Sequence, residues 1–132
     1  MIYLLFVLVP CALFAFHFAT RKYLNPYKLT FVFGKKGSGK STLLAKYAYK
    51  YKSLGWSVYT TEGIPGTYMI SASDIGVRSF PPHSCIHIDE ASLAWDNRSF
   101  KSMPKEVVEW YRYQRHHKCR VFLFSQTFDV DK

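Results

Sequence analysis

The sequence contains few cysteines and lacks any paired cysteine motif. Cys11, Cys85 and Cys119 are far apart in the chain, and no CxxC pair occurs. Structural zinc sites and dithiol redox centres use closely spaced cysteines, so this spacing argues against both kinds of site. Cys11 lies in an apolar segment and Cys85 begins an apolar run, and we interpret both as small core residues. An odd count without a disulfide framework agrees with a reducing compartment.

Acidic residues are also scarce. Asp and Glu number 9 against 18 Lys and Arg, which gives the 132-residue chain a formal net charge of +9. This excess favours a polyanionic partner such as nucleic acid or anionic lipid, or it serves in part only to orient the chain in a membrane. With 48% hydrophobic residues the chain has enough apolar surface to collapse, which excludes a disordered protein. The length corresponds to one domain.

Residues 1–19 contain no formally charged side chain. As a helix this segment would be about 28 Å long, close to the ~30 Å hydrocarbon core of a bilayer. Arg21 and Lys22 follow directly, and positive charge on that side indicates an N-terminus outside and a cytoplasmic remainder. We therefore predict a single-pass anchor over residues 1–20 in the inner or cytoplasmic membrane, and a juxtamembrane linker over residues 21–28.

Three other interpretations of the apolar segment compete with an anchor. A cleaved signal peptide would carry Lys or Arg before its apolar stretch, and none is present. A lipoprotein signal would place a small residue before its cysteine, but Pro10 precedes Cys11. The third is a buried core helix, because Pro10 and His17 interrupt the apolar run, although spanning helices tolerate proline.

Apolar runs alternate with helical patterns after the turn at Asn25-Pro26. The apolar runs predict four short strands, over residues 29–33, 56–61, 85–88 and 120–124. Apolar periodicity predicts helices over residues 41–54 and 104–118, whereas residues 62–83 and 92–103 are predicted to be mostly irregular, with one short element in the first of these. This alternation implies an α/β domain with a mostly parallel sheet over residues 29–132.

Residues 34–41, GKKGSGKS, fit the phosphate-binding loop pattern G-x-x-x-x-G-K-[ST]. Glycines let the backbone N–H groups approach phosphate oxygens, and the helix that follows points its positive dipole end at them. Lys40 is the predicted contact to the β- and γ-phosphates, and Ser41 is a predicted Mg²⁺ ligand. A glycine-rich turn with unrelated lysines is the alternative, but the flanking strand and helix patterns favour the phosphate loop. The residues predicted to bind ATP are Gly34, Lys35, Lys36, Gly37, Ser38, Gly39, Lys40, Ser41 and Thr42.

Two acids, Asp89 and Glu90, end the predicted strand CIHI. In P-loop enzymes an acid at the end of a neighbouring strand helps to hold Mg²⁺, so Asp89 is the other predicted metal ligand. Glu90 is placed to polarise an attacking water as general base. Gln126 ends another predicted strand, at the position where such ATPases carry a residue that senses the γ-phosphate. A solvated acidic pair and an ordinary turn glutamine are the alternatives.

Basic residues cluster at the end of the last predicted helix. The cluster consists of Arg112, Arg115, His116, His117, Lys118 and Arg120. Arg115, or Arg98 in the loop after the acidic pair, is a candidate arginine finger that acts in trans within a homo-oligomer. Others are candidates to contact DNA phosphates, and a solvated basic face is the alternative. The adjacent histidines do not indicate a metal site, because neighbouring helical residues face different directions.

The combination of these motifs resembles a known family. The loop GKKGSGKS, the strand CIHIDEA, Arg98, the Arg115-His116 segment and the FSQTFD tail are together similar to zonula occludens toxin-like proteins, over residues 30–132. These are the assembly and DNA-extrusion ATPases of filamentous phages, related to DNA-pumping motors of the FtsK and HerA type. The resemblance implies a membrane ATPase that uses ATP and Mg²⁺ to drive single-stranded phage DNA out through the envelope while coat subunits assemble around it.

Two features depart from that family. Its best-known members carry the spanning helix after the ATPase domain, whereas here the apolar segment comes first. Such a domain would also continue with another strand and helix after Gln126, so we expect either a fragment or a short member. Two other functions fit the motifs: a P-loop kinase acting on a small molecule, and a scaffold that binds nucleotide without turnover.

Overall fold

The computed structural model describes residues 2–21, 24–91 and 103–126. Its helices are α1 (Ile2–Thr20), α2 (Lys40–Ser53) and α3 (Lys105–Tyr113), with a short 3-10 turn at Ala72–Asp74. Its strands are β1 (Leu29–Phe33), β2 (Ser57–Thr60), β3 (Tyr68–Met69), β4 (Ser84–Ile88) and β5 (Cys119–Ser125). The predicted α/β class is confirmed.

The strands form one sheet in the order β1-β5-β4-β2-β3, and all of its pairings are parallel. β5 pairs with β1 from Val121↔Leu29 onwards and with β4 from Cys119↔Ser84 onwards. The strand that leads to Gln126 therefore lies between the phosphate-loop strand and the acidic strand. In a parallel sheet all strand starts lie at one end, here called the amino end, and all strand finishes lie at the carboxyl end.

A helix packs on each face of this sheet. On one face α2 buries Leu44, Ala48 and Tyr51 against strand residues that include Phe122 and Phe124. On the other face Val107 and Trp110 of α3 join a second cluster that includes Ile86 and Ile88. Each fully buried large apolar side chain contributes about 1.5–3 kcal/mol, so these clusters make the sheet a firm frame. Both faces of the inner strands β4 and β5 are covered, which explains why the sequences of these two strands are mostly apolar.

Some element boundaries differ from the predictions. The helix predicted over residues 104–118 ends at Tyr113, and residues 114–118 form turns. The Tyr113 carbonyl accepts from both His116 and His117, and Lys118 has a φ of +54°, a left-handed conformation that stops a helix. Residues 62–83 contain β3 and the 3-10 turn rather than one short element. The segment predicted to be irregular over residues 92–103 lies, except for Met103, outside the described residues.

Helix α1 is long and apolar enough to cross a membrane, and none of its window Tyr3–Thr20 is buried. Pro10 lies inside it without ending it. A core helix would be covered by the rest of the domain, so this exposure argues against the buried-helix alternative. The division into anchor, linker and ATPase domain stays a prediction.

Candidate nucleotide-binding site

The segment between β1 and α2 is a tight loop at the carboxyl end of the sheet. Gly37 and Gly39 have φ values of +78° and +85°, in the left-handed region that glycine adopts without steric cost. The Gly34 N–H donates to the Ser125 carbonyl at 3.2 Å, which ties the loop to the end of β5. The loop therefore leads directly into the first turn of α2, whose backbone N–H groups form an anion-binding helix end.

Lys40, the first residue of α2, folds back over this loop. Its Nζ donates to the Gly34 carbonyl at 2.7 Å and to the Lys35 carbonyl at 3.1 Å. An arriving phosphate would offer the ammonium group charged acceptors, and hydrogen bonds between charged partners are about twice as strong as neutral ones. The first turn of α2 contains no acidic residue that would oppose a bound anion. Lys40 is thus held at the place where a phosphate would meet it.

The turn after β4 fixes the two predicted acids. The Asp89 N–H donates to Thr61 Oγ1 at 2.9 Å, and the Glu90 N–H donates to Asp89 Oδ1 at 3.0 Å. Glu90 has a φ of +49°, a strained value for a residue with a side chain. Such strain costs about 1–3 kcal/mol and is concentrated at functional sites, where the surrounding structure enforces it.

Gln126 contacts the candidate general base directly. Its Nε2 donates to Glu90 Oε1 at 2.9 Å, so the residues that follow β5 and β4 meet at the carboxyl end. A glutamine in an ordinary turn would not need such a partner. The contact places Gln126 beside Glu90, and its role as the residue that senses the γ-phosphate stays a prediction.

These residues surround one cleft of about 330 Å³. The cleft is lined by Lys36, Gly37, Gly39, Lys40, Ser41, Thr42, Asp89, Glu90 and Gln126. Gly34 and Ser38 line an adjoining cavity that shares Gly39, Lys40 and Thr42 with it. Lysines and carboxylates line the same cleft. This combination of charges suits a polyphosphate that carries a divalent cation.

The two candidate arginine fingers do not join this cleft in the described structure. Arg98 lies outside the described residues. Arg115 precedes β5, whereas Gln126 follows it, so a 7-residue strand separates them. At ~3.3 Å per residue this is about 23 Å. A finger at Arg115 would therefore have to reach the cleft of another copy, and the catalytic roles of all these residues stay predictions.

Glu62 is a site residue that the sequence does not predict. It follows β2, the neighbour of β4, and the Thr60 hydroxyl donates to its carbonyl. A hydrogen bond to Asp89, then burial and repulsion from the Asp89 charge, raise the pKa of Glu62 to about 7, while a hydrogen bond to Ser41 acts in the opposite direction. Its one sequence signal is its position, as an acid just after a strand that turns out to adjoin β4.

The donor set around Ser41 and Asp89 fits Mg²⁺. Hydroxyl and carboxylate oxygens are the hard ligands that this ion prefers. Among the described residues no group of three His, Cys, Asp or Glu side chains is arranged to hold a metal alone. Mg²⁺ commonly binds through one or two protein oxygens together with substrate phosphates and water. The crowding of carboxylates that raises the pKa of Glu62 is also what a cation would relieve.

No protein-family model matches this chain, and no curated protein matches its sequence. Among solved structures it is similar to the N-terminal domain of zonular occludens toxin from Neisseria meningitidis, with a TM-score of 0.60 and 24% identity over 79% of this chain and 69% of that chain. It is also similar to the genome packaging NTPase B204 from Sulfolobus turreted icosahedral virus 2 in complex with AMP, with a TM-score of 0.58 and 18% identity over 80% of this chain and 68% of that chain. The complex of the same NTPase with sulfate gives a TM-score of 0.56.

At these levels of identity the comparisons establish the fold. The chain has the fold of P-loop NTPases, and the resemblance to zonula occludens toxin-like proteins is confirmed at that level. One of the similar structures holds a nucleotide and another holds sulfate. The predicted nucleotide-binding class therefore agrees with the fold neighbours.

Proposed function

We propose that this chain is a membrane-anchored ATPase, similar to zonula occludens toxin-like proteins, that powers phage assembly and the export of single-stranded DNA through the cell envelope. One observation carries the catalytic part of the proposal. The phosphate loop, Asp89, Glu90 and Gln126 come from separate parts of the chain and meet around one cleft. The likeness to a genome packaging NTPase supports a motor that acts on nucleic acid.

Nucleotide binding would use the loop and the start of α2. The β- and γ-phosphates replace the Gly34 and Lys35 carbonyls as acceptors for Lys40 Nζ, and the amides of the first helical turn face the phosphate charge. Ser41 and Asp89 would hold Mg²⁺, which supplies neutralisation of phosphate charge when bound. Glu62 acts through Asp89 as a positioning residue, because it hydrogen-bonds that carboxyl.

Hydrolysis would use the contact between Glu90 and Gln126. Glu90 accepts a proton from a water whose oxygen attacks the γ-phosphorus, while the bond from that phosphorus to the β–γ bridging oxygen breaks. ADP and phosphate leave. The Gln126 amide holds Glu90 Oε1, so a change in the γ-phosphate position is transmitted to the base.

The wider role rests on features outside the cleft. The exposed apolar helix α1 supports a membrane anchor, with the N-terminus outside and the ATPase domain in the cytoplasm. The net charge of +9 supports a polyanionic cargo, which we take to be single-stranded DNA, with phage coat and assembly proteins as further partners. Homo-oligomerisation would allow Arg98 or Arg115 to act as a finger in trans.

Glu90→Gln in the purified full-length chain tests this function. The amide keeps the size of the side chain but removes the base, so ATP should still bind while turnover falls by about 10²-fold or more. Glu109→Gln, which changes an exposed acid on α3, is the matched control and should leave turnover unchanged.

Three results would contradict the proposal. Equal loss of ATP binding in the Glu90 variant would make that residue a metal ligand or a structural residue. ATP binding without turnover in the wild type would favour the nucleotide-binding scaffold. Transfer of the γ-phosphate to a small-molecule acceptor would identify a kinase.

A further inference from the structure

The amino end of the sheet has a surface unlike that of the nucleotide cleft. Four segments meet there, because each directly precedes a strand: residues 24–28, 54–56, 80–83 and 114–118. None of these segments contains an acidic residue. Their basic side chains are all exposed, and they are Lys28, His83, Arg115, His116, His117 and Lys118.

The linker that follows α1 is attached to this same end. Gln114 Nε2 donates to the Tyr27 carbonyl at 3.1 Å, and Arg120 Nη1 donates to the Pro26 carbonyl at 3.0 Å. The Tyr27 ring lies 5.9 Å from the Trp56 ring and 5.7 Å from the His83 ring, measured between centroids. Contacts from several segments therefore fix Pro26-Tyr27 on the amino end.

Covalent geometry then limits how far this end can lie from α1. Arg21 follows the last residue of α1, and five residues further along the chain Pro26 is already bound to the domain. Five extended residues span at most about 17 Å. If α1 crosses a bilayer, its end lies at the headgroups, and the basic amino end is held within this distance of them.

We propose that the amino end of the sheet docks on the anionic lipid headgroups of the membrane that α1 spans, so that the nucleotide cleft faces away from the bilayer. This inference rests on the anchor in the proposed function. Each basic residue near an anionic membrane surface strengthens attraction by roughly fivefold in the binding constant. Leu24 and Leu54, exposed by 58% and 61%, add apolar contacts at the same end. Tyr27 and Trp56 are of the aromatic types that favour membrane interfaces.

Nucleic acid is the other polyanion that these basic residues could attract. The tether favours lipid, because it holds the amino end beside the headgroups at high effective concentration, whereas DNA must arrive from solution. Residues 115–118, which belong to the basic cluster predicted to contact DNA, would therefore contact lipid headgroups instead.

Fluorescence quenching by spin-labelled headgroups tests this docking. The full chain, with Cys11→Ala, is reconstituted into phosphatidylcholine vesicles with or without phosphatidylglycerol. A fluorophore is attached at His116→Cys on the amino end or at Gly63→Cys beside Glu62 on the carboxyl end. Cys85 and Cys119 are buried and do not compete for the label. The label at position 116 should be quenched strongly in anionic vesicles and weakly in neutral ones, and the label at position 63 weakly in both.

Charge variants distinguish electrostatic docking on the lipid from the proximity that the anchor alone imposes. Lys28→Gln with Lys118→Asn should lower the ratio of docked to undocked chain by about 25-fold, the product of two fivefold effects. Asparagine suits position 118 because it tolerates the positive φ found there. Lys46→Gln with Lys105→Gln removes the same charge from exposed helix positions and should leave quenching unchanged.

Several outcomes would overturn the docking. Equal quenching at positions 63 and 116, or quenching that ignores lipid charge, would mean that the amino end is not a lipid surface. Single-stranded DNA could instead abolish the quenching at position 116, and the Lys28 and Lys118 variant could lose DNA affinity by about the same 25-fold factor. These two results together would make DNA the occupant of this surface. A chain that alkaline carbonate extracts from vesicles would overturn the anchor and the docking together. Lipid-independent quenching in a chain that resists extraction would overturn the docking alone.

Discussion

The two ends of the parallel sheet differ in charge and in the segments of the chain that they contact. The carboxyl end brings Asp89 and Glu90 into one cleft with the lysines of the phosphate loop, and Glu62 lies beside Asp89. The amino end has no acid in its four segments and holds the linker from α1. Both ends are built from the same strands of 4–7 residues, apart from the short β3. One small sheet can therefore separate the candidate nucleotide site from the surface that we propose to dock on lipid.

Lys40→Ala should abolish ATP binding at the carboxyl end of the sheet and leave the amino end unchanged. This is the largest effect that we expect. The change removes the point charge that meets the phosphates and its two hydrogen bonds to the loop, but no apolar core contact, so ATP affinity should fall beyond calorimetric detection while the fold is retained. Lys50→Ala, which changes an exposed lysine in the last turn of the same helix, is the control and should bind ATP normally. An unchanged ATP affinity in the Lys40 variant would show that residues 34–41 are not a phosphate-binding loop.

Protonation of His87 should weaken the frame that connects the two ends. His87 is fully buried in β4 and stacks on Phe122 at 5.0 Å, and its Nδ1 has no hydrogen-bond partner among the described residues. Burial, together with the nearby Arg120 charge, lowers its pKa from 6.5 to about 4. The unfolded chain thus takes up this proton as the pH falls below 6.5, and the folded chain does not until about pH 4. Across this window the free energy of unfolding should fall by about 3 kcal/mol.

The measurement is denaturant unfolding at several pH values, compared between the wild type and His87→Leu. Glu62 acts in the opposite sense, because its raised pKa makes the folded state bind a proton more tightly as the pH falls from 7 to 4.5. Glu62 is present in both proteins, so the difference between their free energies of unfolding at each pH reports on His87 alone. The variant should lack the acid-dependent loss, whereas His116→Gln, an exposed histidine, should retain it. Parallel curves for wild type and His87→Leu would contradict the assignment.

Glu62→Gln should produce the smallest effect and refine the description of the carboxyl end. The amide keeps a hydrogen bond to Asp89 but removes one negative charge beside the predicted Mg²⁺ position. The Mg²⁺ concentration for half-maximal turnover should rise by about tenfold, the lower end of the loss in metal affinity that follows removal of an outer-shell partner of a metal ligand. Asp74→Asn, which removes a carboxylate from the 3-10 turn, is the control. An equal shift in both variants would mean that Glu62 has no specific role.

The sequence predicts what is local and leaves out what depends on how distant segments meet. The phosphate loop is contiguous, so GKKGSGKS with its flanking strand and helix patterns is sufficient to place it. The acidic pair and Gln126 follow apolar strands, and the order of a parallel sheet brings such residues together. The length and apolar composition that make α1 a candidate membrane span are likewise properties of one continuous segment.

Glu62 and the end of α3 are features that could not be predicted from the sequence. Glu62 becomes a site residue only because β2 pairs with β4, a long-range contact that no local pattern encodes. The strand β3 has 2 residues and too short a pattern to be recognised. The helical pattern of residues 104–118 continues past Tyr113, but the backbone turns there to enter β5, and a positive φ at Lys118 overrides helical propensity.

Hydrogen exchange of the full chain with and without ATP and Mg²⁺ tests the central claim most directly, because it reports on both ends of the sheet in one experiment. If the nucleotide binds in the cleft, exchange of the backbone amides in residues 35–42 should slow, since phosphate oxygens accept from the loop and from the first turn of α2. Amides of residues 114–118 at the amino end should keep their rates. Protection at the amino end without protection of the loop, or no protection at either end, would contradict the account.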